Sequence, residues 1–191
     1  MELWTYEQES WEAGTQTVCG VDEARAGPLA GPVYAAAVIL PQGLELPGLN
    51  DSKKLTEKRR EALFDQIIAQ AEAYCVAFVT AAEIDEMDIL NARMLAMNRA
   101  IEGLSQTPEV CLIDGNRDHG SAVAIAAPHR CIVGGDGKSA SIAAASILAK
   151  VSRDRYVSTE LEAQYPQYQF AKHKGYGTKL HYAMLDQYGP C

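Results

Sequence analysis

Asp22 and Glu23 stand side by side at the end of an apolar run, Val18-Cys19-Gly20-Val21. A loop holding Gly27, Pro28, Gly31 and Pro32 comes next, and then a second apolar run from Val33 to Leu40. Acidic side chains at the end of a buried strand are costly unless a cation meets them. The pair is therefore a candidate metal site, with a solvated Asp-Glu turn as the competing reading, since carboxylates normally face water. The pattern recurs at Glu109 to Asp114, an apolar run that ends in an acid and is followed by Gly115 and Asn116. Asp136 sits in a third such position, inside Gly134-Gly135-Asp136-Gly137. Hard divalent cations such as magnesium take oxygen ligands from a few carboxylates. Without cations, four clustered acids repel one another and raise their own pKa values. With two cations about 4 Å apart, such a cluster clamps an in-line attack on a phosphodiester, one ion generating hydroxide and the other stabilising the leaving oxygen. Adjacent strand residues point to opposite faces. Asp22 and Glu23 share one site only if the strand ends or bulges there, or if Glu23 acts through its carbonyl or a water.

The basic residues are grouped. Lys53 and Lys54 precede a helical pattern and are phosphate candidates. Lys58, Arg59 and Arg60 read as a solvated helix face. Lys138, Lys150, Arg153 and Arg155 form a second group. Gly137-Lys138-Ser139 resembles the end of a phosphate-binding P-loop, but that motif needs a glycine where Ile132 stands. A backbone nest at the start of the next helix remains a phosphate candidate. Tyr176, between two glycines, could stack on a sugar or base. His173 has no second histidine at ligand spacing and reads as structural or surface-exposed.

These residues need a scaffold. Thr17–Glu23 and Val33–Leu40 read as strands, and the Pro/Gly-rich residues 41–50 connect the second of them to the segment carrying Lys53 and Lys54. Thr56 is an N-cap for a helix whose stripe of Leu63, Ile67 and Ile68 runs to about Ala73. Tyr74–Thr80 reads as a strand and Ala81–Met87 as a short helix. Asp88 or Asn91 opens a longer helix with Leu90, Met94, Leu95, Met97 and Ile101 facing a core. Short apolar runs at 122–127 and 130–133 lead to a long helix from about Ser139 to Gln164. Its Ala/Ser-rich first half suits close approach to a sheet. If the strands ending at Asp22 and Asp114 are parallel neighbours, their carboxylates share one sheet edge, where α/β proteins build sites.

Length and composition set the bounds. The chain has 191 residues, 48% of them apolar and 22% charged, enough for one domain with a real core. Its apolar runs are too short for a membrane span, and the acidic N-terminus lacks signal-peptide character, so a cytoplasmic protein is expected. The five cysteines show no C-x-x-C spacing and indicate neither a disulfide framework nor a zinc site. A net charge of −8 argues mildly against nucleic-acid binding, although two divalent cations in an acidic cluster would halve it.

Taken together, the motifs resemble bacterial ribonuclease HII, the type 2 ribonucleases H. The matching stretches are GVDE-x₃-GPLAGPV at Gly20–Val33, LNDSKKLTEKRR at Leu49–Arg60, LIDGN at Leu112–Asn116, Gly135-Asp136, SIAAASILAKVSRDR at Ser141–Arg155, and HKGYGT at His173–Thr178. The resemblance implies an α/β ribonuclease H-like fold, with a mixed central sheet flanked by helices. It implies magnesium- or manganese-dependent endonucleolytic cleavage of RNA in RNA–DNA hybrids, leaving 5′-phosphate ends. It extends to cutting on the 5′ side of single ribonucleotides in duplex DNA, as in ribonucleotide removal during repair and replication. Asp22, Glu23, Asp114 and Asp136 would be the catalytic and metal-holding acids. Arg25, Ala26, Gly27, Lys53, Lys54, Asn116, Ser146, Lys150 and Tyr176 would contact substrate, with Tyr176 packing on the sugar at the RNA–DNA junction.

Two features depart from the family pattern. Where the family reads Gly-Arg-Gly, this chain has Arg25-Ala26-Gly27. A β-carbon at the first position hinders close backbone approach, and the Ala26 side chain cannot donate to a phosphate. The family also continues past a Gly-Pro turn into a basic tail, whereas this sequence stops at Cys191. One catalytic domain over residues 1–191 without that tail is expected, as a monomer with weakened substrate binding. Two alternatives stand beside an active endonuclease. One is a hybrid-binding variant with impaired catalysis, and the other is a phosphatase or nucleotide hydrolase on the same fold, which would need a small pocket.

Overall fold

The computed structural model describes residues 3–24 and 27–191. In chain order the elements are α1 (Thr5–Glu12), β1 (Val18–Ala24), β2 (Val33–Ile39), α2 (Glu57–Gln70), β3 (Ala73–Val79), α3 (Ala81–Met87), α4 (Ile89–Glu102), β4 (Val110–Asp114), β5 (His129–Ile132) and α5 (Ala140–Tyr156). Short helices α6 (Glu162–Gln164) and α7 (Phe170–His173) precede α8 (Lys179–Tyr188). The five strands lie in the order β3-β2-β1-β4-β5. β1 pairs antiparallel with β2 and parallel with β4, and β4 pairs parallel with β5. This is the mixed sheet that the family resemblance implies. Among the described residues no helix is long and apolar enough to cross a membrane.

The sheet is covered on both faces. All seven residues of β2 are buried. Ala35, Ala37 and Ile39 pack with Met94 and Met97 of α4, while Ala36 and Val38 pack with Ala144, Ile147 and Leu148 of α5 and Leu63 and Ile67 of α2. This alternation is the period of two that a strand imposes.

Helix α5 lies unusually close to β1. A β-carbon on Gly20 would come within 2.1 Å of the Ser141 carbonyl carbon and 2.3 Å of the Ile142 nitrogen. The glycine at that point of β1 and the small residues of α5 therefore permit the contact together. A π-helical turn at Val157–Leu161 carries α5 into α6, so the rod reaches Gln164 as its pattern suggests. Thr56 and Asp88 cap α2 and α4 through side-chain bonds to backbone N–H groups.

Two elements differ from the sequence expectation. α2 stops at Gln70, because Ala71 turns to extended backbone and Ala73 already begins β3. The acidic N-terminal segment forms α1, and its Glu7 is fully buried. Glu7 Oε1 accepts from Ser139 Oγ at 2.5 Å and from Ser141 N–H at 2.9 Å. The start of α5, a phosphate candidate on sequence grounds, is thus filled by a carboxylate of the chain itself.

Candidate active site

β1 and β4 are parallel neighbours whose last rung joins Val21 to Ile113. Asp22 and Asp114 are the next residues on each strand, so they share the sheet edge. Asp136 is brought there by Asp114 itself. The Asp114 Oδ1 atom accepts from Gly135 N–H at 2.7 Å and from Asp136 N–H at 3.3 Å. That contact latches the 3₁₀ turn Gly135–Gly137 to the end of β4. Gly134 enters the turn with φ +64°, a conformation that glycine adopts without strain. One carboxylate oxygen from each of Asp22, Asp114 and Asp136 then lies within 4.8 Å of the others.

Glu23 is placed differently. Its Oε1 lies 2.6 Å from Arg93 Nη2 of α4, because the residue after Asp22 faces the other side of the sheet. Its Oε2 is buried with no hydrogen-bond partner. The structure thus brings three of the four expected acids together and puts the fourth on an arginine, with one oxygen unsatisfied beside the cluster.

The electrostatics suit a divalent cation. Burial, and then the charges of Glu23 and Asp114, push the Asp22 carboxyl well above its ordinary range. Burial also raises Glu23, against the lowering effect of Arg93. Burial, Asp114 and Asp51 raise Asp136. All-oxygen donors, crowded and repelling, with a buried orphan oxygen alongside, are the donor set of a hard divalent ion.

The basic residues fall around this cluster. Lys53 Nζ is 3.6 Å from Asp136 Oδ2. Partial burial pulls its pKa down, but Asp136, Asp22, Asp51 and Asp114 outweigh that and hold it above the ordinary value. Lys54 is exposed and 3.9 Å from Asp51. Asp51 caps the Ser52–Lys54 turn that carries both lysines, a role that nothing in the sequence pattern singles out. Arg60, expected on a solvated face, instead donates to Ser52 O at 2.9 Å and Leu55 O at 2.5 Å, bracing the same turn. Ser146 of α5 is buried, bonds Ser52 Oγ at 2.7 Å and opposes the upward shift of the Asp22 carboxyl. Asn116 is exposed beyond β4.

A second surface adjoins the first. Tyr176 pairs with Pro28 in an antiparallel bridge, and Leu29 N–H donates to Gly175 O at 2.8 Å. Lys150 Nζ lies 3.0 Å from the Tyr176 hydroxyl and 2.9 Å from Asp154. Gly27, at φ +122°, is 4.0 Å from the Tyr176 ring by its would-be β-carbon. Arg25 and Ala26 lie outside the described residues.

The unexpected member here is Arg153, which is 1% exposed. Its guanidinium donates to Ala30 O at 2.9 Å, Lys174 O at 3.0 Å and Pro32 O at 3.3 Å. It therefore ties the loop after β1 to the loop that carries Tyr176. A buried arginine leaves no periodic signal in the sequence; only its place in the long helix pattern hints at it. His173 is structural, as expected. It is buried, stacks on His181 with centroids 4.3 Å apart, and bonds Tyr168 O and Gly175 N.

A cavity of about 500 Å³ lies beside Leu29 and Pro32, lined by Phe78, Tyr156, Phe170 and Leu185. None of the four acids lines it.

The family model for ribonuclease HII matches residues 19–191. The chain belongs to the ribonuclease HII family. Such enzymes are ribonucleases H, which cleave the RNA of RNA–DNA hybrids. A ribonuclease HII from Caldicellulosiruptor bescii is 51% identical over 185 residues, spanning 97% of this chain and 87% of that protein. One from Burkholderia thailandensis is 54% identical over 181 residues, spanning 95% and 82%. The crystal structure of the ribonuclease H2 from Pyrococcus horikoshii OT3 superposes with a TM-score of 0.74 at 28% identity, covering 92% of this chain and 90% of that one. Bst-RNase HIII in complex with Mn2+ shares the fold, with a TM-score of 0.70 at 18% identity over 92% of this chain and 63% of that one.

Proposed function

We propose that this chain is a magnesium- or manganese-dependent endonuclease. It cuts the RNA strand of RNA–DNA hybrids and the bond 5′ to a single ribonucleotide in duplex DNA. The observation that carries the reading is the convergence of Asp22, Asp114 and Asp136 within 4.8 Å at one sheet edge. These three residues would hold the metal, with the orphan Oε2 of Glu23 able to join them. When bound, the metal supplies an activated water and charge stabilisation for phosphodiester hydrolysis.

The remaining residues act on the substrate. Lys53 and Lys54, on an exposed turn next to Asp136, meet the backbone phosphates. With the Asp136 charge met by a bound cation, Lys53 would be free to turn from that carboxylate to a backbone phosphate. Ser146 orients Asp22. Lys150 and the 27–31 loop hold the Tyr176 ring, whose face packs on the junction sugar. The acids do not line the 500 Å³ cavity, which favours a duplex over a small phosphate ester.

The test is cleavage of two duplexes, one with a lone ribonucleotide and one a continuous hybrid, in magnesium and in manganese. Cutting 5′ to the lone ribonucleotide, abolished in Asp22→Asn, is the expected result. If neither duplex is cut in manganese, the endonuclease reading fails. Tight binding without cutting, with cutting restored by Arg25→Gly together with Ala26→Arg, assigns the chain as a hybrid-binding variant.

A further inference from the structure

Strand β5 presents His129 and Cys131 on one face, since residues two apart in a strand share a side. The segment after β4 folds back beside them. His119 and Ala124 form an antiparallel bridge, and Ile125 N–H donates to Asp118 O at 2.7 Å. That fold sets the Asp118 carboxylate against the strand. One ligand atom from each of Asp118, His129 and Cys131 lies within 4.8 Å of the other two. These residues are separate from the carboxylate cluster and take no part in the proposed chemistry.

The imidazole fixes what the group can accept. His129 Nδ1 is 2.8 Å from Ala127 O, a contact that only an N–H makes, so the proton sits on Nδ1. In the neutral ring Nε2 then carries a lone pair, and it faces Asp118 Oδ2 at 3.2 Å. Two acceptors cannot face each other at that distance without a positive centre, either a proton on Nε2 or a metal ion. A ring nitrogen anchored through its partner to a backbone carbonyl is the usual posture of a metal-binding histidine. The thiol favours the metal, because a proton shared by His129 and Asp118 needs no sulfur beside it, whereas a borderline-soft ion takes nitrogen, sulfur and oxygen together. Tetrahedral nitrogen and oxygen ligands about 2.1 Å from an ion sit about 3.4 Å apart. The His129–Asp118 spacing already meets that. His119 Nδ1 lies 2.6 Å from the other Asp118 oxygen and so helps to hold that carboxylate in place.

We propose that Asp118, His129 and Cys131 form a second metal site, for a zinc-class transition ion, that pins the loop after β4 to the edge strand β5. Its donors select against magnesium, as the all-oxygen donors of the other cluster select for it. Sequence spacing does not reveal it, because only His-x-Cys is local and the carboxylate comes from a loop brought in by the fold.

Chelator-treated protein, held in excess magnesium to fill the oxygen cluster, is titrated with cobalt(II). One equivalent binds with a thiolate-to-cobalt charge-transfer band. That band vanishes in Cys131→Ser, persists in Asp136→Asn, and cobalt affinity falls at least tenfold in His129→Ala. Zinc raises the melting temperature of the wild type but not of Cys131→Ser, a near-isosteric change at a half-buried position. Cobalt binding without a thiolate band overturns the proposal, as does binding that survives in Cys131→Ser and disappears in Asp136→Asn.

Discussion

Arg93 Nη2 lies 2.6 Å from Glu23 Oε1, and this pair separates two acids that are adjacent in sequence. Asp22 faces the carboxylate cluster while Glu23 is neutralised from α4. Arg93→Ala leaves the buried Glu23 charge without its partner. Removing one member of a fully buried pair costs ~3–5 kcal/mol. The Arg93 side chain is 31% exposed, so a loss of about 2–3 kcal/mol is expected in denaturant unfolding. Manganese should recover part of that loss, since an ion at the cluster offers Glu23 a second partner, and Arg93→Lys should recover most of it. Unchanged stability in Arg93→Ala would show that the pair contributes nothing.

The crowded carboxylates make stability depend on pH and metal in a specific direction. Asp22 and Asp136 have folded-state pKa values above their ordinary 3.8. Between the unfolded and folded values the native protein holds more protons, so metal-free stability falls as pH rises through that window. A divalent cation binds only the deprotonated acids. The gain in melting temperature with manganese should therefore grow as pH rises from the ordinary carboxylate range through the raised folded-state values. Asp22→Asn should raise the metal-free melting temperature at neutral pH by a few degrees, about 1 kcal/mol, while abolishing cleavage. A manganese gain independent of pH would contradict this account.

The parts of the fold and site that are legible in the sequence are the local ones. Strand β1 and the ends at Asp22 and Asp114 can be read from apolar runs closed by acids. The helix caps at Thr56 and Asp88 can be read because capping is a property of a few neighbouring residues. The convergence of Asp136 depends on Asp114 gripping the Gly135–Gly137 turn, a tertiary contact that no periodicity records. Glu23 sits next to Asp22 and its charge acts on it, as adjacency in sequence suggests, but its ion pair with Arg93 of α4 is a tertiary contact that the sequence does not show. Glu7 is unreadable for a similar reason. Its partner, the start of α5, lies more than a hundred residues away in the chain.

Arg153 supplies a prediction that separates substrate holding from chemistry. Its three carbonyl contacts join the loop carrying Pro28 to the loop carrying Tyr176, while the acids sit on other elements. Arg153→Lys keeps the charge but loses the planar fork and leaves buried carbonyls unpaired, at about 1–3 kcal/mol. KM for the ribonucleotide duplex should rise roughly tenfold or more, as a 1.4 kcal/mol loss of binding implies, with kcat and manganese affinity little changed. A fall in kcat at unchanged KM would place Arg153 in the chemistry instead.

Gly20 tests whether the α5–β1 contact positions the site. A β-carbon there meets only backbone, at 2.1–2.4 Å from Ser141 and Ile142 atoms, so no rotamer change can relieve it. Gly20→Ala should cost about 3 kcal/mol, the upper end of ordinary overpacking. It should also push α5 away from β1, carrying Ser146 from Asp22. The comparison is Gly14→Ala, where φ is +96° and nothing lies within 4 Å, so only the backbone conformation is penalised, at about 1 kcal/mol. Gly14→Ala should therefore cleave as the wild type does. Gly20→Ala should bind manganese more weakly and cleave more slowly even at temperatures where circular dichroism shows it fully folded. If the two variants behave alike, the close approach of α5 is not what sets the geometry of Asp22.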